Sequence, residues 1–485
     1  MIKRRSLRWA ACLTSVAACA SAAAIDLTPC RLKGVTHEAL CGRVQRPLDP
    51  GQPAGAQIDV HFAVLPALAN NKLPDPVFFF AGGPGQSAID LAGPVAAQMG
   101  RLSNRRDLVF IDQRGTGRSA PLRCEADEQP LRPLAEQLDP QQQLAQLAAC
   151  RARLQRLAHG DLRRYTTNIA TADADAVRSA LGAARINLVG ASYGTRAVLE
   201  YMRQFPGAVR RAVLDGVAPA DMVLPASFSL DNQRVLDGLF DWCEHDADCG
   251  ARHPRLRATW RALLDGLPRP VQIAHPLTGR SESLLLTRDM LLGMVRTPLY
   301  VPALTAALPA AITEAASGRF DALAGLSTAL SGPGARLYTG MHFSVICAED
   351  VPRLGDAADA QGEQFGRAFA QLYEQACAAW PRGDVPAAFY ATPSAPSATW
   401  LLSGAADPAT PPRHGERIAR ALGARARHTV VPNAGHGVMA LPCVRDAVVR
   451  FIDAADDTAA LQVDASCAAS LPHPRVFAPL QASGP

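Results

Sequence analysis

Lysine is scarce in this chain of 485 residues, in which only Lys3, Lys33 and Lys72 occur and arginine supplies the other basic side chains. The formal net charge is only +5. Four of the basic residues lie among the first 24 residues, which contain no acidic residue, so the remainder carries about +1. A chain without a strong basic excess gives no electrostatic reason to expect nucleic-acid binding.

Long apolar runs are also missing beyond residue 24. No later segment reaches the roughly 18 uninterrupted apolar residues that a membrane-spanning helix needs, so we expect a soluble mature protein without a transmembrane segment. The sequence has no dinucleotide fingerprint, phosphate-binding loop or zinc-protease helix. We therefore expect no cofactor and no catalytic metal.

The first 24 residues have the layout of a secretory signal. Basic residues at positions 3 to 8 precede a short apolar stretch and then a run of small residues, which is typical of a cleaved signal peptide. This predicts an exported protein, either periplasmic or secreted. The run Val16-Ala17-Ala18-Cys19 leaves an alternative open, because it could be a lipoprotein cleavage box with Cys19 as a lipid anchor.

Ten cysteines follow residue 24, and an even number in an exported chain predicts disulfide bonds. They fall into five pairs of sequence neighbours, which predicts the disulfides Cys30–Cys41, Cys124–Cys150, Cys243–Cys249, Cys347–Cys377 and Cys443–Cys467. Cys243 and Cys249 have an alternative as metal ligands, because acidic residues and a histidine lie between them. A structural zinc site usually has a second ligand pair elsewhere, and none is evident, so the disulfide is favoured.

The order of patterns along the chain predicts an α/β fold. From residue 58 onward, short β-rich runs such as "PVFFF" and "DLVFI" alternate with helical stretches, which is typical of a mostly parallel sheet with crossover helices. Residues 226–389 consist mainly of amphipathic helical sequence, and a Pro/Ser-rich linker follows. We therefore predict a core formed by residues 25–225 and 390–485, interrupted by a helical cap.

The segment Gly190-Ala191-Ser192-Tyr193-Gly194 lies between an apolar strand-like run and a helix-forming stretch. This is the context of a nucleophile elbow, in which glycines flank the serine because the sharp turn leaves no room for side chains. The motif alone is a weak signal, and its context makes it specific. Ser192 is the predicted nucleophile.

A serine nucleophile needs a base and an orienting acid. His436 lies in the glycine-flanked loop after a late strand, "TVVPNAGHG", and Asp407 lies in the loop after the preceding strand, "TWLLSGAADPATPP". Together they keep the order Ser, Asp, His that this fold uses. Less favoured candidates are His414 and His428 for the base, and Asp384, Asp446 and Asp453 for the acid.

The tetrahedral intermediate also needs hydrogen-bond donors for its oxyanion. One predicted donor is the backbone amide of Tyr193, which follows the nucleophile. The other is predicted in the early loop "AGGPG", where we assign Gly83 and consider its neighbour Gly82 the alternative. Glycines there let the backbone come close to the substrate.

The motifs "GGPG", "DQRGTGRS", "GASYGTRAVLEYMRQFP", "RAVLDGV", "DPATPP" and "NAGHG" together resemble the prolyl and tripeptidyl aminopeptidase family of α/β-hydrolases, especially its secreted tripeptidyl-aminopeptidase-like branch. The resemblance spans both core segments. Ala81 and Gln86 depart from the usual residues of prolyl enzymes, histidine and glycine, which argues against strict proline specificity. Asp112 and Arg114 resemble family residues that organise the loops beneath the site.

The resemblance implies an α/β-hydrolase fold and removal of residues from a free peptide N-terminus. Such an enzyme needs an anion for the substrate ammonium, and we predict that Glu349 and Asp350, in the cap segment "FSVICAEDVPR", provide it. A solvated turn, or pairing with Arg353, is the alternative role for these two residues. Two other functions remain: a serine esterase with the same triad, and a catalytically silent binding module.

Overall fold

The computed structural model describes residues 25–124, 131–330, 336–356 and 361–477. The predicted signal peptide, with Cys19, lies outside these ranges. Within them, no helix is both long and apolar enough to cross a membrane.

A central sheet of nine strands organises the described residues, and a separate two-stranded hairpin lies elsewhere in the chain. The nine strands are β1 (Thr28–Cys30), β2 (Ala39–Pro47), β3 (Gln57–Leu65), β4 (Val77–Phe80), β5 (Leu108–Ile111), β6 (Ile186–Ala191), β7 (Val209–Asp215), β10 (Thr399–Gly404) and β11 (Ala426–Val431). The hairpin consists of β8 (Arg269–Ala274) and β9 (Ser281–Leu286).

The sheet has the strand order β1-β2-β3-β5-β4-β6-β7-β10-β11. The strands from β5 to β11 in this order are parallel, whereas β1, β2 and β3 form an antiparallel extension at one end. The loops that follow parallel strands emerge at the same edge of a sheet, where α/β proteins bind their ligands. The loops after β4, β6, β7, β10 and β11 therefore meet at one edge. The predicted α/β-hydrolase fold with a mostly parallel sheet is confirmed.

Both faces of the sheet are apolar, as expected for parallel strands covered by helices. Side chains alternate between the faces along each strand. Phe78 and Phe80 of β4 pack in one core cluster, and Phe79 packs in the other. This explains why the "VFFF" strand is apolar throughout rather than at alternate positions.

The helices outside the segment between β7 and β10 are α1 (Ala92–Met99), α2 (Leu134–Leu138), α3 (Pro140–Leu154), α4 (Thr167–Ala180), α5 (Tyr193–Gln204), α15 (Pro412–Leu422), α16 (Pro442–Asp453) and α17 (Asp457–Leu461). Those between β7 and β10 are α6 (Leu224–His245), α7 (Ala247–Arg252), α8 (Leu256–Asp265), α9 (Arg288–Leu299), α10 (Pro302–Thr305), α11 (Leu308–Ala316), α12 (Asp321–Thr328), α13 (Thr339–Glu349) and α14 (Ala368–Ala378).

The segment between β7 and β10, which we call the cap, is mainly helical and has its own apolar core cluster. Two features differ from the sequence-based description. The hairpin β8–β9 lies within the cap, where no strand is predicted, and α13 packs its apolar residues into the core cluster beside the sheet rather than into that of the cap. The exact limits 225/226 and 389/390 stay predictions.

All ten described cysteines form disulfide bonds with their nearest cysteine neighbours in the sequence. The five predicted pairs are confirmed. The bond between Cys243 and Cys249 opposes the metal-site alternative, because it consumes both thiolates. Cys347 of α13 is bonded to Cys377 of α14, which ties together two helices of the cap.

Disulfide mapping tests this arrangement in the protein itself. Because each bond links sequence neighbours, peptide mapping of the unreduced protein should return five local links. Thiol titration of the denatured mature protein should find no free cysteine. A link between cysteines from different pairs, or two or more free thiols, would contradict the structure.

Candidate active site

Ser192 occupies the turn between β6 and α5, with backbone angles of φ 55° and ψ −126°. A side-chain-bearing residue adopts such a conformation only when its surroundings enforce it. A Cβ atom on Gly190 would lie 2.5 Å from the Gly194 carbonyl oxygen, and one on Gly194 would lie 2.1 Å from the Phe80 carbonyl oxygen. Neither position has room for a side chain, so the elbow geometry predicted from the motif is confirmed.

His436 and Asp407 lie together at the same edge of the sheet. Nδ1 of His436 is 2.9 and 3.0 Å from the two carboxylate oxygens of Asp407. Asp407 is buried and also accepts hydrogen bonds from the backbone N–H groups of Ala409 and Thr410 and from the Thr410 hydroxyl. An ionised carboxylate can only accept hydrogen bonds, so Nδ1 of His436 carries the proton. Nε2 of the neutral imidazole therefore has a lone pair with which it can act as a base.

The ionisation of the pair follows from its surroundings. Burial favours the neutral imidazole, but the Asp407 carboxylate outweighs it and, with Asp215, raises the pKa of His436. Burial likewise opposes the charge of Asp407, yet His436 and the Thr410 hydrogen bonds together lower the pKa of this carboxyl. The arrangement therefore stabilises an imidazolium beside a carboxylate, the state that forms when a histidine takes a proton from a serine.

Asp215, at the end of β7, joins the loops that carry Ser192 and His436, a role that sequence reasoning missed. Its backbone oxygen accepts from the Ser192 N–H at 2.8 Å. Its side chain accepts from the N–H groups of Val438 and Met439, each at 2.9 Å. A Cβ on Gly216 would lie 3.3 Å from Cε1 of His436, so the imidazole lies over this same turn. The only available signal was an aspartate at the end of a strand.

Tyr300, in the cap, contacts the histidine from the other side. Its ring meets the His436 ring edge-on, with centroids 5.2 Å apart, and its carbonyl oxygen accepts from the His436 N–H at 2.9 Å. The cap therefore helps to hold the histidine loop. Nothing in the local sequence around Tyr300 indicates this contact.

The glycine loop after β4 reaches the nucleophile. A Cβ on Gly82 would lie 3.2 Å from Cβ of Ser192, so the backbone passes directly beside the serine. Gly83, with φ 108°, follows in a conformation that favours glycine. Tyr193 is the first residue of α5, and the first N–H groups of a helix have no acceptor within it. Gly83 and Tyr193 remain the predicted oxyanion donors.

Asp112 and Arg114 have the structural role that the sequence suggested. Asp112 is buried and accepts hydrogen bonds from the Ser87 hydroxyl and the Ile89 N–H in the loop after β4. Burial raises its pKa to about 6. Arg114 is also buried and binds Asp173 through two nitrogens. Neither side chain belongs to the Ser192–His436–Asp407 group.

Glu349 and Asp350 are not placed to bind a substrate ammonium, which corrects the predicted amine anchor. Both are buried at the end of α13, where Arg196 of α5 bridges them. Glu349 also accepts from the N–H and hydroxyl of Thr167, and Asp350 accepts from the Leu224 N–H. All four carboxylate oxygens are thus occupied by protein donors.

Glu349 and Asp350 pair with Arg196, and not with Arg353 as the sequence analysis considered. The Arg353 side chain lies on the Tyr390 ring and donates to the Ala220 carbonyl oxygen. Arg196, by contrast, is fully buried between the two carboxylates. Burial, opposed by Arg196, raises the pKa of Glu349 to about 7. The group, which we call the Arg196 cluster, fastens the cap to the elbow helix.

Two family models match the chain. One, described as "alpha/beta hydrolase fold", covers residues 75–275, and the other, described as "TAP-like protein", covers residues 362–467. The Ser192 elbow lies within the first match, and Asp407 and His436 lie within the second. The chain has the α/β-hydrolase fold and is similar to TAP-like proteins.

Curated relatives of this chain include Serine protease Hip1 of Mycobacterium tuberculosis, which is 28% identical over 82% of each chain. Tripeptidyl aminopeptidase of Streptomyces coelicolor is 29% identical over 47% of this chain and 44% of the relative. Carboxylesterase B of Mycobacterium tuberculosis is 29% identical over 85% of this chain and 84% of the relative. With these relatives and the site geometry, the chain is a serine hydrolase.

The His436–Asp407 pair predicts a defined pH dependence. Activity should rise with pH as His436 loses its proton, with a midpoint above the usual histidine pKa, because Asp407 raises that pKa. Asp407→Asn should lower kcat by about 10³- to 10⁴-fold and move the midpoint down. The measurement is kcat/KM for a short nitrophenyl ester against pH.

The control for this experiment is Asp446→Asn, which removes a half-exposed carboxylate of α16 that pairs with Arg101 and Arg445. It should leave both the rate and the midpoint unchanged. If Asp446→Asn rather than Asp407→Asn abolished activity, or if the midpoint did not move, the assignment of Asp407 would be wrong.

The Arg196 cluster predicts a loss of stability rather than a selective loss of substrate binding. Arg196→Gln leaves two buried carboxylates without their cation, which should lower the free energy of unfolding by about 3–5 kcal/mol. Urea unfolding measures this change. Arg43→Gln is the matched control, because the Arg43–Asp59 pair is solvent-exposed and should contribute almost nothing.

A second variant separates this role from the predicted amine anchor. Glu349→Gln should reduce stability and affect free-amine and acetylated peptides alike, because Glu349 contacts Thr167 and Arg196. A Glu349→Gln protein of unchanged stability, with KM raised only for substrates with a free amine, would restore the amine-anchor interpretation.

Proposed function

We propose that this α/β-hydrolase is an exported serine peptidase that hydrolyses peptide bonds near a free N-terminus, as a tripeptidyl- or prolyl-type aminopeptidase. The observation that carries the proposal is the placement of the cap directly against the oxyanion loop. The Tyr338 N–H donates to the Gly85 carbonyl oxygen at 2.8 Å, and His342 Nδ1 donates to the Pro84 carbonyl oxygen at 3.0 Å.

This placement favours cleavage at chain ends. A Cβ on Gly83 would lie only 2.9 Å from Cδ2 of Leu337, so this residue of the cap lies directly beside the predicted oxyanion donor. A peptidase that cuts within long chains needs a cleft open at both ends, whereas we propose that the cap closes one end of the cleft near Ser192. The relative named tripeptidyl aminopeptidase supports the same specificity class.

The proposed reaction uses only side chains and backbone groups of this chain. Ser192 Oγ attacks the peptide carbonyl while Nε2 of His436 takes its proton, and Asp407 stabilises the imidazolium. The backbone N–H groups of Tyr193 and Gly83 stabilise the oxyanion. The imidazolium then gives its proton to the leaving amine, and water, activated by His436, hydrolyses the acyl-enzyme on Ser192.

Export is supported by two independent features. The first 24 residues have signal-peptide composition, and all ten described cysteines are in disulfides. Disulfide bonds persist in oxidising compartments and are rare in a reducing cytosol. A periplasmic or secreted location fits both, with Cys19 as the predicted lipid anchor if the lipoprotein box is used.

A serine esterase is the second candidate, because two observations favour it. The predicted amine anchor is occupied within the Arg196 cluster, and a relative that covers 85% of the chain is named Carboxylesterase B. The same triad cleaves esters, so the fold does not distinguish the two substrates.

Hydrolysis of a matched substrate panel by the purified mature protein and its Ser192→Ala variant tests the proposal. The panel contains fluorogenic amides of one, two and three residues, each with a free or an acetylated N-terminus, together with short-chain esters. We expect cleavage of free-amine peptides that acetylation abolishes, and no activity in Ser192→Ala. The preferred peptide length then distinguishes removal of one residue from removal of three.

Two outcomes would contradict the aminopeptidase proposal. Equal cleavage of free and acetylated peptides would show a peptidase that does not recognise the N-terminus. Ester cleavage alone, lost in Ser192→Ala, would keep the triad and favour the esterase.

A further inference from the structure

A cavity of about 630 Å³ lies between the helical segment of residues 132–156 and the cap. Its cap wall includes Leu337, Thr339 and His342, which precede or begin α13. This is the stretch that contacts the oxyanion loop, through His342 to Pro84 and through Leu337 beside Gly83. The cavity therefore adjoins the loop that passes beside Ser192.

A second wall of the cavity also leads to the catalytic residues. Arg296 of α9 lines it, and Tyr300 follows one helical turn later. Tyr300 is the residue that contacts His436 from the cap side. The cavity is thus connected through one helix turn to the catalytic histidine and through α13 to the oxyanion loop.

The described lining of the cavity carries an excess of positive charge. Its described lining contains four arginines and one carboxylate, Glu136, and the arginines are Arg132, Arg153, Arg156 and Arg296. In the described ranges, none of these four forms an ion pair with a carboxylate. The guanidinium of Arg296 instead lies 4.4 Å from the centre of the Phe369 ring. A concave site whose described lining has an excess of one sign of charge attracts ligands of the opposite sign.

The other lining groups fit a peptide. Phe343, Phe369 and Tyr373 form an aromatic wall, and Gln137, Gln143 and Gln146 add amide groups. Aromatic side chains pack against apolar side chains of a ligand, and guanidinium groups match a carboxylate through two parallel hydrogen bonds. The cavity thus offers an apolar surface together with cations suited to a carboxylate.

We infer that this cavity is a specificity subsite that binds a carboxylate of the peptide substrate, with Arg296 and Arg156 among the groups that recognise it. The carboxylate comes from an aspartate or glutamate side chain or from the C-terminus of a short peptide. This inference rests on the proposed peptidase function, because it concerns which peptides the Ser192 site receives.

The test compares pairs of short free-amine peptides that differ only in charge. Each pair has aspartate or asparagine at one position, and each peptide is made with a free and with an amidated C-terminus. With wild-type protein, kcat/KM should be about tenfold or more higher for the acidic member of a pair, the effect of about one hydrogen bond to a charged group. Added salt should reduce this advantage.

Variants connect the preference to the cavity. Arg296→Gln and Arg156→Gln should each reduce the advantage of the acidic peptide, and Arg296→Lys should retain part of it. Arg319→Gln is the matched control, because Arg319 is exposed on the cap and does not line the cavity, and it removes the same charge. Thermal unfolding of each variant verifies that it is folded.

The possible outcomes separate the two proposals. A preference at an internal position identifies an acidic side chain as the ligand, and one that amidation removes identifies the C-terminal carboxylate. Cleavage of all peptides without charge preference, or a preference unchanged in Arg296→Gln and Arg156→Gln, would overturn the subsite alone. A wild-type protein that cleaves esters but no peptide would contradict both the subsite and the peptidase.

Discussion

The sharp turn at Ser192 is the constraint on which the rest of the site depends. It places α5 so close to β4 that the Gly194 Cα faces the Phe80 carbonyl oxygen, where a methyl group would lie 2.1 Å away. The glycine loop that begins after Phe80 is thereby held beside the nucleophile. The same turn donates the Ser192 N–H to Asp215, whose side chain holds the loop that carries His436. A single backbone turn thus positions Ser192, the glycine loop and the loop that carries His436.

Buried charge fixes the cap relative to this turn. Arg196, one turn along α5 from Ser192, is enclosed by Glu349 and Asp350 of the α13 end. Removing such charges from water costs several kcal/mol per ion, which is repaid only when every polar atom has good partners. Thr167, Leu224 and backbone carbonyl groups provide most of those partners, although Nε of Arg196 has none among the described residues. The main effect of the Arg196 cluster is therefore to hold α13 in one position relative to α5.

The parts of the site that the sequence predicts are those determined by local spacing. Ser192, Asp407 and His436 each follow a recognisable strand and stand in loops with characteristic glycines or prolines. The disulfides were predictable for the same reason, because each joins neighbouring cysteines. The strands of the parallel sheet, such as the fully buried Val77–Phe80, are continuous apolar runs that the sequence displays directly.

The features that sequence reasoning missed depend on contacts between distant segments. Glu349 and Arg196 are 153 residues apart, so nothing in "FSVICAEDVPR" indicates that its carboxylates are already paired. Tyr300 contacts His436 only because the cap folds over the sheet edge. Half of the residues of strands β8 and β9 are exposed, so their sequences lack the continuous apolar run that marks a strand buried on both faces.

The attachment of α13 has a consequence for which molecules can reach Ser192. This helix is bonded to the oxyanion loop at its start, to α5 through buried ions at its end, and to α14 through Cys347. Moving α13 away from the sheet would expose the buried charges of Arg196, Glu349 and Asp350 at once. A hinge motion wide enough to admit a folded protein is therefore unfavourable. For the proposed peptidase, this restricts the substrates to unstructured chain ends and short fragments.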